Sequence, residues 1–181
     1  MKRFAVLILL AFLAVGCTRA SNTVAKQGRT DLTKAGTETF EGFTWTSWVS
    51  TDGDFKIQFP CPVSVSYMPA DPHLAGMNFE VRSENCGIFL LRRFSTDSEL
   101  STDQIEARMT KLYSEHLSFE SLTVCGHTAV KATLQFQNDT DYLLDVASGP
   151  VLYALSVQGD TTGHPGADMA GHFFTSFELT K

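Results

Sequence analysis

The chain has 181 residues, 43% of them apolar and 19% charged, with a formal net charge of −6. That length suits one folded domain rather than two, and the composition excludes global disorder. The acidic balance argues against nucleic acid as a partner. Phosphate contact needs clustered Lys and Arg, and Arg92-Arg93 is the one basic pair beyond the N-terminus.

Met1-Lys2-Arg3 is a positive start, and residues 4–15 form an apolar run too short to span a bilayer as a helix. The run ends in Leu13-Ala14-Val15-Gly16-Cys17, which resembles a bacterial lipobox. In a lipobox, small residues precede a cysteine that receives diacylglycerol before cleavage on its N-terminal side. Ala14 stands where Leu is usual. Residues 1–16 are then a lipoprotein signal peptide and Cys17 is the lipid attachment site. The alternative is a plain secretory signal cut nearby, after Ala20. Either way the mature chain is exported, and the lipoprotein reading places it at the cell envelope. Each buried CH₂ of an acyl chain on Cys17 contributes about 0.8 kcal/mol, so the modified terminus anchors the chain without spanning the bilayer. Thr18 follows, not Asp, which favours the outer membrane if the cell is Gram-negative.

Residues 18–41 are polar, with scattered Val24, Leu32 and Phe40. They offer too little apolar surface to offset their ordering entropy. Residues 17–41 therefore read as a lipidated Cys and flexible tether, and residues 42–181 as a single globular domain. Alternating residues 43–50 and 55–59, joined through Asp52-Gly53, predict a hairpin. Pro60 and Pro62 end the second strand around Cys61. Residues 63–68 and 77–82 predict a second hairpin across a long loop. The continuous apolar run Ile88-Phe89-Leu90-Leu91 predicts a central strand.

Ser101, with Gln104 three residues on, marks the start of a helix with a capping box. Ile105, Met109, Leu112, Tyr113 and His116 form the stripe it would turn toward a sheet. A strand over residues 119–125 turns at Gly126-His127 into three runs, residues 129–137, 142–147 and 151–158. Their period of two predicts an antiparallel meander with a covered face. A short helix over residues 167–174 and a terminal strand follow, with Phe173, Phe174, Phe177 and Leu179 as anchors. The fold class expected is α/β (α+β), an antiparallel β-sheet packed by one main helix and a short C-terminal helix.

The segments Gly53-Asp54-Phe55-Lys56-Ile57-Gln58-Phe59-Pro60, then after the capped helix Leu122-Thr123-Val124-Cys125-Gly126-His127-Thr128-Ala129, Val151-Leu152-Tyr153-Ala154-Leu155-Ser156-Val157-Gln158-Gly159 and Phe173-Phe174-Thr175-Ser176-Phe177-Glu178-Leu179 carry a resemblance. In that order they resemble small exported bacterial domains of the PsbP-like class, many of them lipoproteins of unknown function. The likeness runs over residues 43–181. It implies an α/β sandwich and carries over no catalytic residue.

Three further cysteines remain: Cys61, Cys86 and Cys125. Counting back from Met68 opposite Met77 brings Cys61 near Cys86. A Cys61–Cys86 disulfide is therefore expected, contributing about 3 kcal/mol in the chain-entropy model. Cys125 reads as a buried small apolar residue. Its neighbour His127 does not make it a nucleophile, since a catalytic pair needs spatial contact and an orienting third group. His164, Asp168 and His172 match no metal-ligand spacing and read as a loop and a helix-face histidine. Asp52-Gly53-Asp54 and Asn138-Asp139-Thr140-Asp141 read as Asx turns rather than calcium loops. Trp45 and Trp48 read as core or edge cover.

No catalytic set and no cofactor is expected. The function expected is a membrane-anchored envelope domain that binds a protein or a small ligand. One alternative is an envelope enzyme or metal-dependent hydrolase built from scattered His and Asp or Glu. Another is a structural accessory subunit of an envelope complex.

Overall fold

The computed structural model describes residues 31–67, 77–83, 87–113, 117–136, 139–159 and 165–180. The order is β1 (Leu32–Phe40), β2 (Phe43–Ser50), β3 (Phe55–Phe59), β4 (Val63–Tyr67), β5 (Met77–Ser83), β6 (Ile88–Ser95) and α1 (Thr102–Tyr113). Then come β7 (Leu117–Val124), β8 (His127–Phe136), β9 (Asp139–Ser148), β10 (Val151–Gln158), α2 (Ala167–Thr175) and β11 (Glu178–Leu179). The strands form two antiparallel sheets, β1-β2-β3-β11 and β4-β5-β6-β10-β9-β8-β7. The fold is α+β, with helices packed on sheets.

The two sheets face each other across the larger core. Trp45, Phe55, Ile57 and Phe59 come from the small sheet, and Phe89, Leu91, Val146, Leu155 and Val157 from the large one. α2 adds Ala170, Phe173 and Phe174 to the same interior. Phe173 lies 5.2 Å from Phe59 and 5.4 Å from Phe89, centroid to centroid, within the range of favourable ring pairs. The terminal anchors Phe173, Phe174 and Phe177 are all buried. The run read as a central strand, β6, is internal to the large sheet, between β5 and β10.

A second core lies on the opposite face of the large sheet. There α1 lays Ile105 and Met109 on Val130, Ala132, Leu143, Ala147 and Leu152. The capping box forms as its residues dictate. Gln104 N–H donates to Ser101 Oγ at 3.4 Å, and Ser101 N–H donates to Gln104 Oε1 at 2.9 Å. Within the meander β9 and β10 are thus buried on both faces, while β8 is buried along one face and opens toward solvent on the other at Lys131, Thr133 and Gln135. In register Val130 sits beside Asp145, and Asp145 beside Ala154. Val130 therefore faces α1, while Tyr153 and Leu155 face the small sheet.

Three expectations need correction. Residues 32–40, assigned to the tether, are strand β1, paired with β2 from Leu32↔Ser50 to Phe40↔Phe43. β1 is exposed between its two ends, so backbone pairing carries most of its hold, and composition does not reveal that. Its turn, Glu41-Gly42, has φ of 47° and 77°, as a two-residue type I′ hairpin requires.

The expected disulfide is not formed, since Cys61 is a free thiol; Cys86 lies outside the described residues. The β4–β5 register pairs Val63 with Ser83, one residue beyond the count made from the loop.

Cys125 is exposed rather than buried. It occupies the first position of the Cys125-Gly126 turn, where both φ values are positive, 51° and 84°. His164 and His116 lie outside the described residues.

Candidate functional site

α1 does not cover the whole outer face of the large sheet. Beside it runs an open groove of about 800 Å³, a size usual for small-molecule sites. The groove floor is built by period-two alternation on three strands. β6 supplies Arg92 and Phe94, β9 supplies Leu143 and Asp145, and β10 supplies Leu152, Ala154 and Ser156. The wall is α1, which contributes Arg108, Lys111, Leu112 and Tyr113, with Leu100 from the preceding turn.

Asp145 is the centre of this site. It sits within an apolar strand, between Leu143 and Ala147 on the α1 side, and is only 3% exposed. Arg108 reaches across from the helix, its Nη1 2.7 Å from Asp145 Oδ2. The Arg108 guanidinium also lies 4.4 Å from the Phe94 ring centroid, in cation–π reach. Burial pushes the Asp145 carboxyl up to about 6; the attraction and hydrogen bond of Arg108 oppose that rise without cancelling it. The fold therefore holds a carboxylate that would be more comfortable neutral.

One strand away, Arg92 Nε donates to Glu80 Oε2 at 2.6 Å across the β5–β6 pair. Tyr113, at the end of α1, is raised above its usual range by burial first and by Asp145 second. Leu112, expected in the buried stripe, is 57% exposed at the groove's edge. Lys111 beside it is exposed and has no ion pair among the described residues.

The residues singled out from sequence lie elsewhere. Cys17 and Cys86 are outside the described residues, and Cys61 lies in the turn before β4. His172 is a half-buried helix-face residue on the small-sheet side. It stacks on Phe40 at 4.1 Å, and its Nε2 lies 3.0 Å from Gln58 Oε1 and 3.1 Å from Glu38 Oε1. That set fastens the β1–β2 hairpin to α2, a structural task. Trp45, wholly buried, donates from Nε1 to the Phe40 carbonyl at 3.3 Å. No group of three or more His, Cys, Asp or Glu among the described residues is placed to hold a metal ion. No helix of the described residues is long and apolar enough to cross a membrane.

Sequence reading missed Asp145 and Arg108. The signal for the first was present: one Asp interrupts Tyr142-Leu143-Leu144-Asp145-Val146-Ala147, where either face would be apolar. For the second, Arg108 falls between Ile105 and Leu112 along the helical stripe.

No family model and no curated protein matches the chain. Three solved structures are similar to it. The solution structure of cyanobacterial PsbP from Synechocystis sp. PCC 6803 matches at 10% identity and a TM-score of 0.52, over 88% of this chain and 98% of that one. A crystal structure from Bacteroides thetaiotaomicron matches at 15% identity and a TM-score of 0.46, over 75% of this chain but only 48% of that one. A protein of unknown function from Pseudomonas aeruginosa matches at 12% identity and a TM-score of 0.32, over 71% of this chain and 88% of that one. Of the three, the cyanobacterial chain speaks for the fold, and for the fold alone.

Proposed function

We propose that this is an exported, lipid-anchored binding domain whose ligand seat is the groove beside α1. The observation that carries the reading is the groove itself. It is concave, it has an apolar floor, and a few charged side chains converge on it from two different elements. Ligand seats are built that way: apolar surface supplies affinity and sparse polar groups set orientation. The concavity favours a small ligand over a flat protein partner. The lipobox-like sequence ending at Cys17 supports the anchor, and the polar residues after it support a spacer between lipid and domain.

Two experiments test the two halves. Cells expressing the full chain are fed a clickable fatty acid. Label is expected on the protein and its loss in Cys17→Ala; label retained in that variant overturns the anchor. For the seat, native mass spectrometry of the full chain in phosphatidylcholine nanodiscs follows small molecules captured from an envelope extract. Leu112→Trp, at an exposed position on the groove's edge, fills the entrance and is expected to abolish capture. Undiminished capture by that variant contradicts the groove as the seat.

A further inference from the structure

A single row across the large sheet carries the charges of the groove floor. Arg92 lies opposite Ala154, and Ala154 opposite Asp145. β10 therefore separates guanidinium from carboxylate by two strand spacings, about 10 Å. Arg92 turns the other way, to Glu80, its register partner on β5. On its remaining side Asp145 meets Val130 of β8. The charged and titratable groups around Asp145 are thus Arg108, Lys111 and Tyr113 of α1 and, beyond Ala154, Arg92; Asp141, on the same strand as Asp145, acts on Tyr113. Among the described residues, only Arg108 makes an ion pair with Asp145, at 2.7 Å.

The two partners differ in their freedom to move. The Asp145 side chain is 4% exposed, on a strand paired along both edges, so it is fixed. The Arg108 side chain is 22% exposed, on a long stem in the wall of an open groove, so water is within its reach. While paired, its guanidinium lies over Phe94, part of the groove lining. A proton on Asp145 removes the full charge that draws Arg108 inward and leaves a weaker hydrogen bond in place of a charge-assisted one. The carboxyl, then neutral, suits its apolar surroundings, and the guanidinium gains by hydration. Burial brings the carboxyl up to about 6, so this proton arrives under mildly acidic conditions. We propose that Asp145 and Arg108 form a proton-operated gate on the groove: the charged carboxylate holds the guanidinium across Phe94, and the neutral carboxyl releases it to solvent and uncovers the floor. This assigns a regulation to the seat described above and rests on that reading, but the movement itself requires no ligand.

The test is NMR of the full chain in phosphatidylcholine nanodiscs, without ligand, from about pH 8 to about pH 5, a range that spans the Asp145 value. Three signals are followed: the Asp145 carboxyl carbon, the heteronuclear NOE of Arg108 Nε, and the broadening of the Ala154 methyl by the nitroxide TEMPOL. Arg108 Nε is expected to lose its NOE with the midpoint of the carboxyl carbon, about 6, while Arg92 Nε, held by Glu80, keeps its own. Broadening of Ala154 should rise over the same range. Asp145→Asn, uncharged at every pH, should show a mobile Arg108 throughout. Arg108→Gln removes the cation that lowers Asp145 and should shift the carboxyl midpoint above about 6; with the titration of the unmodified chain, it decides the matter should Asp145→Asn fail to fold. An Arg108 NOE unchanged across the titration, or as high in Asp145→Asn as in the charged parent, overturns the gate. So does a carboxyl midpoint that Arg108→Gln leaves in place, or Ala154 broadening that stays level while Arg108 is freed. A seat elsewhere on the molecule would instead be reported by undiminished capture in Leu112→Trp, which separates failure of the seat from failure of the gate.

Discussion

The two faces of the seven-stranded sheet are both covered at its centre, but they are built for different ends. Against the small sheet, the interior is ring against ring and branched chain against ring: Trp45, Phe59, Phe89 and Phe173 meet at centroid distances of 5.2–5.7 Å. Charge touches that face at its margin, where Arg93 pairs with Asp54 at 3.6 Å. Against α1, a helix of twelve residues covers part of the face and leaves a groove, and a carboxylate lies at the middle of the packing. A surface closed on apolar atoms maximises stability. A half-closed one with a desolvated charge sacrifices some, and such sacrifices gather where ligands bind.

The difference is sharpest in what substitutions should do. Phe173→Ala, in the closed interior, should cost about 3–5 kcal/mol in urea unfolding, the range for a large ring truncated in a full core. A loss below about 1 kcal/mol would mean the sheet-to-sheet interior does not dominate stability.

Asp145 predicts a pH dependence with the reverse of the usual carboxylate sign. Its folded-state value is about 6, against 3.8 for the free group. Between those values the folded chain holds the proton more tightly than the unfolded one. This group's contribution is therefore full below 3.8 and is lost as pH rises through 6. The whole change is about 3 kcal/mol, at 1.36 kcal/mol per unit. Asp145→Asn should flatten this part of the stability profile measured by urea unfolding between acidic and neutral pH. An unchanged slope in the variant would place the titration elsewhere.

Smaller effects refine the contrast. Ser101→Ala removes the cap of α1 and should cost about 1 kcal/mol, with faster amide exchange confined to α1. Spread of that faster exchange into β2 and β3 would show the two faces to be one cooperative unit. Leu112→Ser should change stability by no more than about 0.5 kcal/mol, as exposed positions do, while weakening small-molecule capture from the envelope extract. A large stability loss there would make Leu112 a packing residue and not a groove edge.

The closed face was the legible one. Its period-two runs, the Asp52-Gly53 turn and the C-terminal phenylalanines point to their places from local pattern alone; on the other face only the start of α1, at the Ser101–Gln104 cap, was as plain. β1 escaped because its hold on the fold is backbone pairing to β2, with most of its side chains exposed and only its ends, Leu32 and Phe40, packed on the core. The count behind the Cys61–Cys86 pairing used a register one residue off: Val63 meets Ser83, and no composition signal reports a single-residue slip. The groove escaped for another reason. Arg92, Arg108 and Asp145 lie far apart in the chain, and only the antiparallel order β6-β10-β9 with α1 above it brings them together. One clue, an aspartate in the middle of an apolar strand, was local.

Hydrogen exchange of the full chain in nanodiscs, with and without the small-molecule envelope extract, tests the division of labour most directly. Slower exchange is predicted in α1 (Thr102–Tyr113) and in the segment of β9 around Asp145, with β2, β3 and α2 unchanged. Protection appearing in β2 and β3 while α1 exchanges as before would contradict it, and would move the binding surface to the other side of the molecule.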